Sequence, residues 1–307
     1  MQLLRAVFIN ISLLVATFMC TPFAQARTQA DDIEPVRVAV AANFAAPLRA
    51  IAEGFTGATG VNVIVTVSSS GTLFAQLQHG AQFDVFLSAD KRRPLALAHQ
   101  GVIHADNVVD YAVGQLAFVH RAKELSEENR SLSSQIETAL STGRIAIANP
   151  KLAPYGEAAK DTLQSLGLWN RATRQRVTGK NVLQTYQFFS TKSVSGAFIA
   201  YSLTPDIAKA PNSDSETITT ALVPAHLHKP IVQSMAINSK HRAQLYPNVF
   251  DAKTPDFQHA TQNLAIVDLF VQYVLSKHVQ NQLSSWGYLG VELAAKANDA
   301  IGKRGEQ

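Results

Sequence analysis

The chain has 307 residues, with 27 Lys or Arg, 23 Asp or Glu and a formal net charge of +4 at pH 7. This basic excess is small and dispersed, and no run of Lys or Arg has the pattern of a nucleic-acid-binding patch, so the composition does not indicate a nucleic-acid partner. The one cysteine, Cys20, lies in an N-terminal apolar segment, which leaves the rest of the chain without disulfides or thiol chemistry.

The first 26 residues have the pattern of a cleaved secretory signal peptide. Arg5 precedes an apolar run from Ala6 to Met19, and Ala24-Gln25-Ala26 places two small residues before a polar segment. We expect cleavage after Ala26. A membrane anchor is the weaker interpretation, because the apolar run is shorter than the ~20 residues of a spanning helix. A lipoprotein signal is also disfavoured, because bulky residues precede Cys20.

A strand, a tight turn and a helix open the exported part of the chain. The strand from Val36 is rich in valine and alanine, and Asn43 follows it as the predicted helix N-cap. Apolar residues then recur with the spacing of one helical face: Phe44, Leu48, Ile51 and Phe55. A helix N-terminus at the end of a strand suits an anion, because it offers N–H donors and the positive end of the helix dipole.

Similar units recur along the chain. Strands are predicted near residues 61–67, 83–90, 111–120, 144–148, 194–202 and 229–237, with helices beginning at Ser70-Gly71-Thr72, Lys91, Pro154-Tyr155-Gly156 and Asn181-Val182. An amphipathic helix at 264–276 and a shorter one ending near Trp286 follow. Polar stretches at 121–134 and 204–215 and the tail at 291–307 read as surface segments. Repeated βα units predict an α/β fold with parallel sheets covered by helices.

Motifs for metal binding or catalysis are missing from the sequence. The nine histidines are scattered, and there is no Gly-x-Ser-x-Gly elbow, Walker loop or GxGxxG. Asp84 and Asp90 fit a strand-edge acid and a helix cap. A nucleophile within Ser68-Ser69-Ser70 has no base at a defined spacing, so an enzyme is unsupported.

Neutral polar or small residues accumulate at four helix starts: Ala42-Asn43, Ser70, Tyr155 and Val182. Each alone fits a simple capped helix. Together they would lie at the carboxyl ends of strands, where open α/β sheets bind their ligands. Uncharged N–H and O–H donors suit an oxyanion, because such a site avoids burying a fixed cation.

The sequence resembles the periplasmic molybdate-binding protein family, the substrate-binding component of molybdate ABC importers, from about Val36 to Tyr288. The motifs that carry the resemblance lie at 40–44 (Val-Ala-Ala-Asn-Phe), 69–73 (Ser-Ser-Gly-Thr-Leu), 80–90 (Gly-Ala-Gln-Phe-Asp-Val-Phe-Leu-Ser-Ala-Asp), 148–156 (Ala-Asn-Pro-Lys-Leu-Ala-Pro-Tyr-Gly), 181–188 (Asn-Val-Leu-Gln-Thr-Tyr-Gln-Phe) and 286–288 (Trp-Gly-Tyr).

The resemblance implies that a tetrahedral dianion, molybdate or tungstate, is held between two lobes by N–H and hydroxyl groups, with no direct metal ligand and no cofactor. The implied binding residues are Asn43, Ser70, Tyr155 (through its hydroxyl or its backbone), Val182 (through its N–H) and, less directly, Ala42. Some family members bind through a tyrosine in the strand at 197–201. Here Ala200 aligns with it and Tyr201 falls one residue away, on the opposite face.

The resemblance also implies a two-lobed periplasmic binding protein, a monomer that docks in its closed form on an inner-membrane ABC permease. We expect the signal peptide at 1–26, a discontinuous first lobe at 35–115 plus 228–290, a second lobe at 116–227 and a tail at 291–307. Strands near 111–120 and 229–237 would form the hinge.

Two alternatives stay open at this point. One is a binder of another tetrahedral oxyanion, above all sulfate. Phosphate is disfavoured, because it carries a proton near neutral pH and no Asp or Glu stands at the contact positions to accept it. The other alternative is a secreted hydrolase with Ser70 as nucleophile.

Overall fold

The computed structural model describes residues 34–122, 131–205, 217–238 and 265–290. The predicted signal peptide, the tail and most of the polar stretches at 121–134 and 204–215 lie outside these ranges. Within them, no helix has both the length and the apolar character needed to cross a membrane.

The described residues form eleven strands: β1 (Val36–Ala41), β2 (Val63–Ser68), β3 (Val85–Leu87), β4 (Val108–Gly114), β5 (Leu116–Ala122), β6 (Ile145–Ala148), β7 (Arg176–Gly179), β8 (Gly196–Ala200), β9 (Thr217–Leu222), β10 (Ile231–Ile237) and β11 (Tyr288–Leu289). They also form nine α-helices: α1 (Ala45–Thr59), α2 (Ser70–Gln78), α3 (Arg92–His99), α4 (Leu132–Thr142), α5 (Pro154–Ser165), α6 (Trp169–Arg174), α7 (Val182–Ser190), α8 (Ile266–Leu275) and α9 (Lys277–Gln282).

The strands make two separate sheets. The first has the order β11-β4-β10-β3-β1-β2, and the second has the order β7-β6-β8-β5-β9. In the first sheet β1 is parallel to β2 and β3, and in the second β6 is parallel to β7 and β8. Strands β10 and β5 run antiparallel to their neighbours. The predicted two-lobed α/β fold is confirmed, with mixed sheets whose parallel halves come from the βα units.

The chain passes between the two sheets at Gln115 and again at residues 223–230. The single strand predicted at 111–120 is therefore two strands, β4 and β5, that belong to different sheets. The sequence analysis also missed β9, which pairs with β5 along one edge of the second sheet. The lobe limits at 35–115, 116–227 and 228–290 remain a prediction.

The apolar face predicted for the first helix is confirmed. Phe44, Leu48, Ile51 and Phe55 are at most 2% exposed, and the rings of Phe55 and Phe270 meet edge to face at 5.2 Å. The N-cap predicted at Asn43 is wrong. Asn43 lies inside a short 3-10 helix, Ala42–Phe44, and no side chain caps α1.

Candidate functional site

The five residues predicted for the site all lie where a strand gives way to a helix. Ala42 and Asn43 follow β1, and Ser70 opens α2 after β2. Tyr155 and Val182 stand at the starts of α5 and α7, which follow β6 and β7 of the second sheet. All five are buried, and Ala42, Tyr155 and Val182 belong to one apolar cluster that contains residues of both sheets. The folded chain thus brings loops of the two sheets together.

Direct hydrogen bonds join the loop after β2 to the loop after β6. The N–H of Gly71 donates to the carbonyl oxygen of Leu152 at 2.8 Å, and Nη2 of Arg93 donates to the carbonyl oxygen of Lys151 at 3.0 Å. Arg93 is only 7% exposed and forms an ion pair with Asp90. Its charge is therefore already balanced, and its role at this boundary is structural.

The first turn of α2 leaves one backbone donor uncommitted. The first N–H groups of a helix have no partner inside the helix. In α2, Gly71 donates to Leu152, and Thr72 donates to the side-chain oxygen of Ser69 at 3.2 Å. Within the described ranges the N–H of Ser70 has no hydrogen-bond partner, so it is available to a ligand.

The first turn of α5, like that of α2, presents a backbone N–H to a ligand. Pro154 has no N–H, and its fixed φ angle suits this helical position. The N–H of Gly156 donates to the carbonyl oxygen of Ala153 at 2.9 Å. The donor that this helix start presents is the N–H of Tyr155.

The start of α7 also presents backbone N–H groups, and a side chain caps this helix. The side chain of Asn181 accepts a hydrogen bond from the N–H of Gln184 at 2.9 Å, as predicted for an N-cap residue. The N–H groups of Val182 and Leu183 precede that contact and remain available. Among the residues that the structure describes, three helix starts therefore present N–H groups without a partner at the predicted positions Ser70, Tyr155 and Val182.

Ser70 adds a hydroxyl donor to its N–H. Its Oγ accepts a hydrogen bond from the N–H of Ala89 at 2.9 Å, which leaves the hydroxyl hydrogen free to point elsewhere. Within the described ranges, no histidine or carboxylate forms a hydrogen bond with Ser70. The local chemistry of Ser70 is that of a hydrogen-bond donor.

The Asn43 side chain fixes its own turn. Its Nδ2 donates to Oε1 of Gln233 at 2.8 Å and to the hydroxyl oxygen of Tyr288 at 3.3 Å, which uses both amide hydrogens. The backbone carbonyl oxygen of Asn43 accepts hydrogen bonds from the hydroxyls of Tyr288 at 2.6 Å and Ser202 at 3.3 Å. These long-range bonds replace the capping role expected from the sequence, and the group that Asn43 can offer a ligand is its backbone N–H.

The Tyr155 hydroxyl lies in the same buried polar cluster. It accepts a hydrogen bond from Nε2 of Gln233 at 3.5 Å, and it occupies the space that a Cβ atom on Gly114 would need. Burial, followed by the neighbouring Tyr288 and Tyr111, holds the pKa of Tyr155 well above its usual value. The hydroxyl therefore keeps its proton, and its role toward a ligand remains a prediction, while the backbone N–H of Tyr155 is the donor at the start of α5.

Two further tyrosines line this cluster, and the sequence analysis did not assign them a role. Burial raises the pKa of Tyr288 to about 12 and that of Tyr111 well above its usual value. The Tyr111 hydroxyl donates toward Oε1 of Gln233 at 3.0 Å. The available signal was the polar pair Gln233-Ser234 inside an otherwise apolar strand. That polar pair did not indicate which tyrosines would contact it, because they are far away in the sequence.

Neither acidic residue singled out in the sequence lies free near the helix starts. Asp84 accepts the N–H of Arg37 at 2.7 Å, and Asp90 accepts the N–H of Arg93 at 2.9 Å. Asp84 thus lies beside β3 as an acid bonded to the neighbouring strand, as predicted. Asp90 bonds to the first turn of α3, but the N-cap position itself belongs to Lys91, one residue later than predicted. Across the described ranges, no group of three His, Cys, Asp or Glu residues could hold a metal ion. Tyr201 lies in the 3-10 helix after β8 and is 36% exposed, while Ala200 is fully buried.

The sequence is similar to known solute-binding proteins. The model of the family described as bacterial extracellular solute-binding protein matches residues 36–289. The chain is 36% identical over 203 residues to the molybdate-binding protein ModA of Rhodobacter capsulatus, covering 66% of this chain and 75% of that protein. It is 35% identical over 205 residues to ModA of Azotobacter vinelandii, covering 67% and 78%.

The fold is similar to solved structures of the same kind. The periplasmic molybdate-binding protein of Azotobacter vinelandii matches with a TM-score of 0.62 at 25% identity, over 83% of this chain and 98% of that one. The sulfate-binding protein SubI of Mycobacterium tuberculosis H37Rv matches with a TM-score of 0.61 at 12% identity, over 88% and 91%. The second likeness shows the shared fold alone.

Proposed function

Because the chain belongs to the bacterial extracellular solute-binding proteins and, within them, to the molybdate-binding proteins, we propose that it captures molybdate in the cleft between its lobes and delivers it to an ABC importer. Tungstate, which has the same charge and shape, is proposed as a second ligand. The protein carries its ligand unchanged and acts as a transport component, without catalysis and without a cofactor.

The set of uncommitted donors at the helix starts is the observation that carries this proposal. It comprises the N–H and O–H of Ser70 and the N–H groups of Asn43, Tyr155 and Val182. Ala42, whose side chain is buried in the apolar cluster, would add only its backbone. The positive ends of α2, α5 and α7 would stabilise a bound anion, and no fixed cation would have to be desolvated.

The same set of donors favours an oxyanion that carries no proton. A dianion such as molybdate or sulfate accepts hydrogen bonds at every oxygen, whereas phosphate near neutral pH also has a proton to donate. None of the five proposed contact residues has a carboxylate to receive that proton. Sulfate matches molybdate in charge and shape, so cavity size must separate the two, and sulfate is the alternative ligand to test.

Calorimetric titration of the protein beginning at Arg27 tests the proposal. We expect one molybdate per chain, comparable binding of tungstate, sulfate binding at least about tenfold weaker and no heat from phosphate. Ser70→Ala removes a hydrogen bond to a charged ligand and should weaken molybdate binding about tenfold to a hundredfold. Ser141→Ala, which removes an exposed hydroxyl on α4, is the matched control. Absence of molybdate binding would overturn the proposal, and tighter binding of sulfate would reassign the ligand.

The location and the partner follow from the same family. We propose that the signal peptide is removed after Ala26 and that the protein works in the periplasm as a monomer. Its partner there would be an ABC permease in the inner membrane. The closed lobes would present one rigid surface to that permease. N-terminal sequencing of the exported protein checks the leader, since any start other than Arg27 contradicts it.

A further inference from the structure

A fully buried glutamine lies between the two halves of the proposed site. Gln233 is in β10, the strand that follows the second passage of the chain between the sheets. The pairing of β10 with β4 shifts register between Gln233 and Ser234, as in a β-bulge. Bulges re-aim side chains, and here the shift accompanies a polar pair in an apolar strand.

Gln233 contacts one anion-binding loop from each sheet. Its Oε1 accepts hydrogen bonds from Nδ2 of Asn43 at 2.8 Å and from the hydroxyl of Tyr111 at 3.0 Å. Its Nε2 donates to the hydroxyl of Tyr155 at 3.5 Å. Gly114 makes room for these contacts, since a Cβ atom there would lie 2.9 Å from Nε2 and would overlap the Tyr155 hydroxyl.

We propose that Gln233 is a positioning residue for the oxyanion site, which holds the Asn43 turn and the start of α5 in their binding geometry through one side-chain amide. The inference rests on the proposed function. Gln233 acts through its hydrogen bonds to Asn43, Tyr111 and Tyr155. It sets where the N–H groups of Asn43 and Tyr155 point, and it does so for both lobes at once.

The chemistry of the site requires a group with one acceptor and one donor. The acceptor must face the Asn43 amide and the Tyr111 hydroxyl, and the donor must face Tyr155. A flipped amide would place its NH2 group against the NH2 group of Asn43. An apolar side chain of the same length would leave the Asn43 amide without its partner, and a buried unpaired donor is costly.

The surroundings of Gln233 are neutral. The titratable groups that face it are the hydroxyls of Tyr111 on β4, Tyr155 on α5 and, beyond Asn43, Tyr288 on β11. Burial raises the pKa of all three, and Asp90 adds to the rise at Tyr111. All three stay protonated between pH 6 and 8.5, so molybdate binding by the unaltered protein should be flat across that range.

The substitution Gln233→Glu should make molybdate affinity depend on pH. A protonated carboxyl keeps one donor and one acceptor, as the amide does. An ionised carboxyl has only acceptors and places a negative charge behind the dianion site. Because burial raises the pKa of a carboxyl, the change between the two forms moves toward neutral pH. Affinity in this variant should therefore fall as pH rises.

Titration calorimetry with sodium molybdate at pH 6, 7 and 8.5 is the test. For Gln233→Glu we expect the dissociation constant to rise about tenfold or more from pH 6 to 8.5, since the lost hydrogen bond and the added charge both act above its pKa. Gln233→Met should weaken binding about tenfold at every pH, because it removes the hydrogen bonds without adding a charge.

The control is Ser234→Ala, which removes the neighbouring buried hydroxyl, bonded to Asp110, and should bind as the unaltered protein does. All titrations are run well below each variant's melting temperature. If Gln233→Glu unfolds at high pH, the comparison of Gln233→Met with Ser234→Ala decides the matter. Equal binding by those two, or a flat profile for a folded Gln233→Glu, would overturn the inference alone. Failure of the unaltered protein to bind molybdate would overturn the proposed function and the inference with it.

Discussion

The two halves of the proposed site are built by different means. On the first sheet, side-chain hydrogen bonds hold the donors: Asn43 is tied to Gln233 and Tyr288, and Ser70 accepts from Ala89. On the second sheet, features local to each helix start hold most of them, and the contact of Gln233 with the Tyr155 hydroxyl is the long-range addition. Pro154 and Gly156 shape the start of α5, and the Asn181 cap shapes the start of α7.

The difference teaches where each half is vulnerable. A turn held by side chains fails when a distant partner changes, because its bonds join residues up to 245 positions apart. A helix start held by proline, glycine and a cap fails when its own backbone is disturbed. Substitutions in the two halves should therefore separate effects on local backbone from effects on the network.

Gly156→Ala should have the largest effect. A Cβ atom at Gly156 would overlap the carbonyl group of Ala148, which ends β6. The carbonyl carbon and oxygen of Ala148 belong to packed backbone and cannot move aside. The start of α5 must therefore shift, and the Tyr155 N–H shifts with it. We expect molybdate binding to fall by a hundredfold or more and the protein to lose about 2–4 kcal/mol of stability, as for other overpacked cores. Calorimetry and denaturant unfolding measure the two effects.

The control for this substitution is Gly57→Ala in the last turn of α1. No atom lies within 4 Å of a Cβ atom built there, so the substitution should keep affinity and raise stability by up to about 1 kcal/mol. If Gly156→Ala bound molybdate as well as Gly57→Ala does, the start of α5 would not be part of the site.

Asn43→Ala should have an intermediate effect. It removes two hydrogen bonds and leaves Oε1 of Gln233 with Tyr111 alone, while the backbone N–H of residue 43 remains. We expect a loss of about 1–3 kcal/mol in stability and roughly tenfold in affinity, because the turn loosens but keeps its donor. Thermal unfolding and titration of the same preparation measure both. Complete loss of binding in a stably folded variant would instead make the side chain a direct ligand contact.

The sequence predicted the second half of the site better than the first. Pro154 and Asn181-Val182 are local signals of helix starts, and both helix starts are confirmed. Asn43 carried the same local signal, and there the capping prediction failed. Gln233 and Tyr288 compete for its side chain from across the first sheet, and no sequence spacing indicates that they would. The division of residues 111–120 between two sheets escaped prediction for a similar reason, since β4 and β5 differ in their partners rather than in their composition.

Asn181→Ala should have the smallest effect and sharpens the comparison furthest. It removes the cap bond to Gln184 but leaves the N–H of Lys180 bonded to the Gln184 side chain at 2.7 Å, so the start of α7 keeps part of its support. We expect a loss of about 1 kcal/mol in stability, typical of a cap, and a twofold to fivefold loss of affinity, since the Val182 N–H is less firmly held.

Ser131→Ala removes an equivalent cap from α4, whose helix start is not among the four of the site. It should lower stability by a similar amount without changing affinity in titration calorimetry. If both variants lost affinity equally, the change would follow global stability, and the Val182 N–H would have no special place in the site.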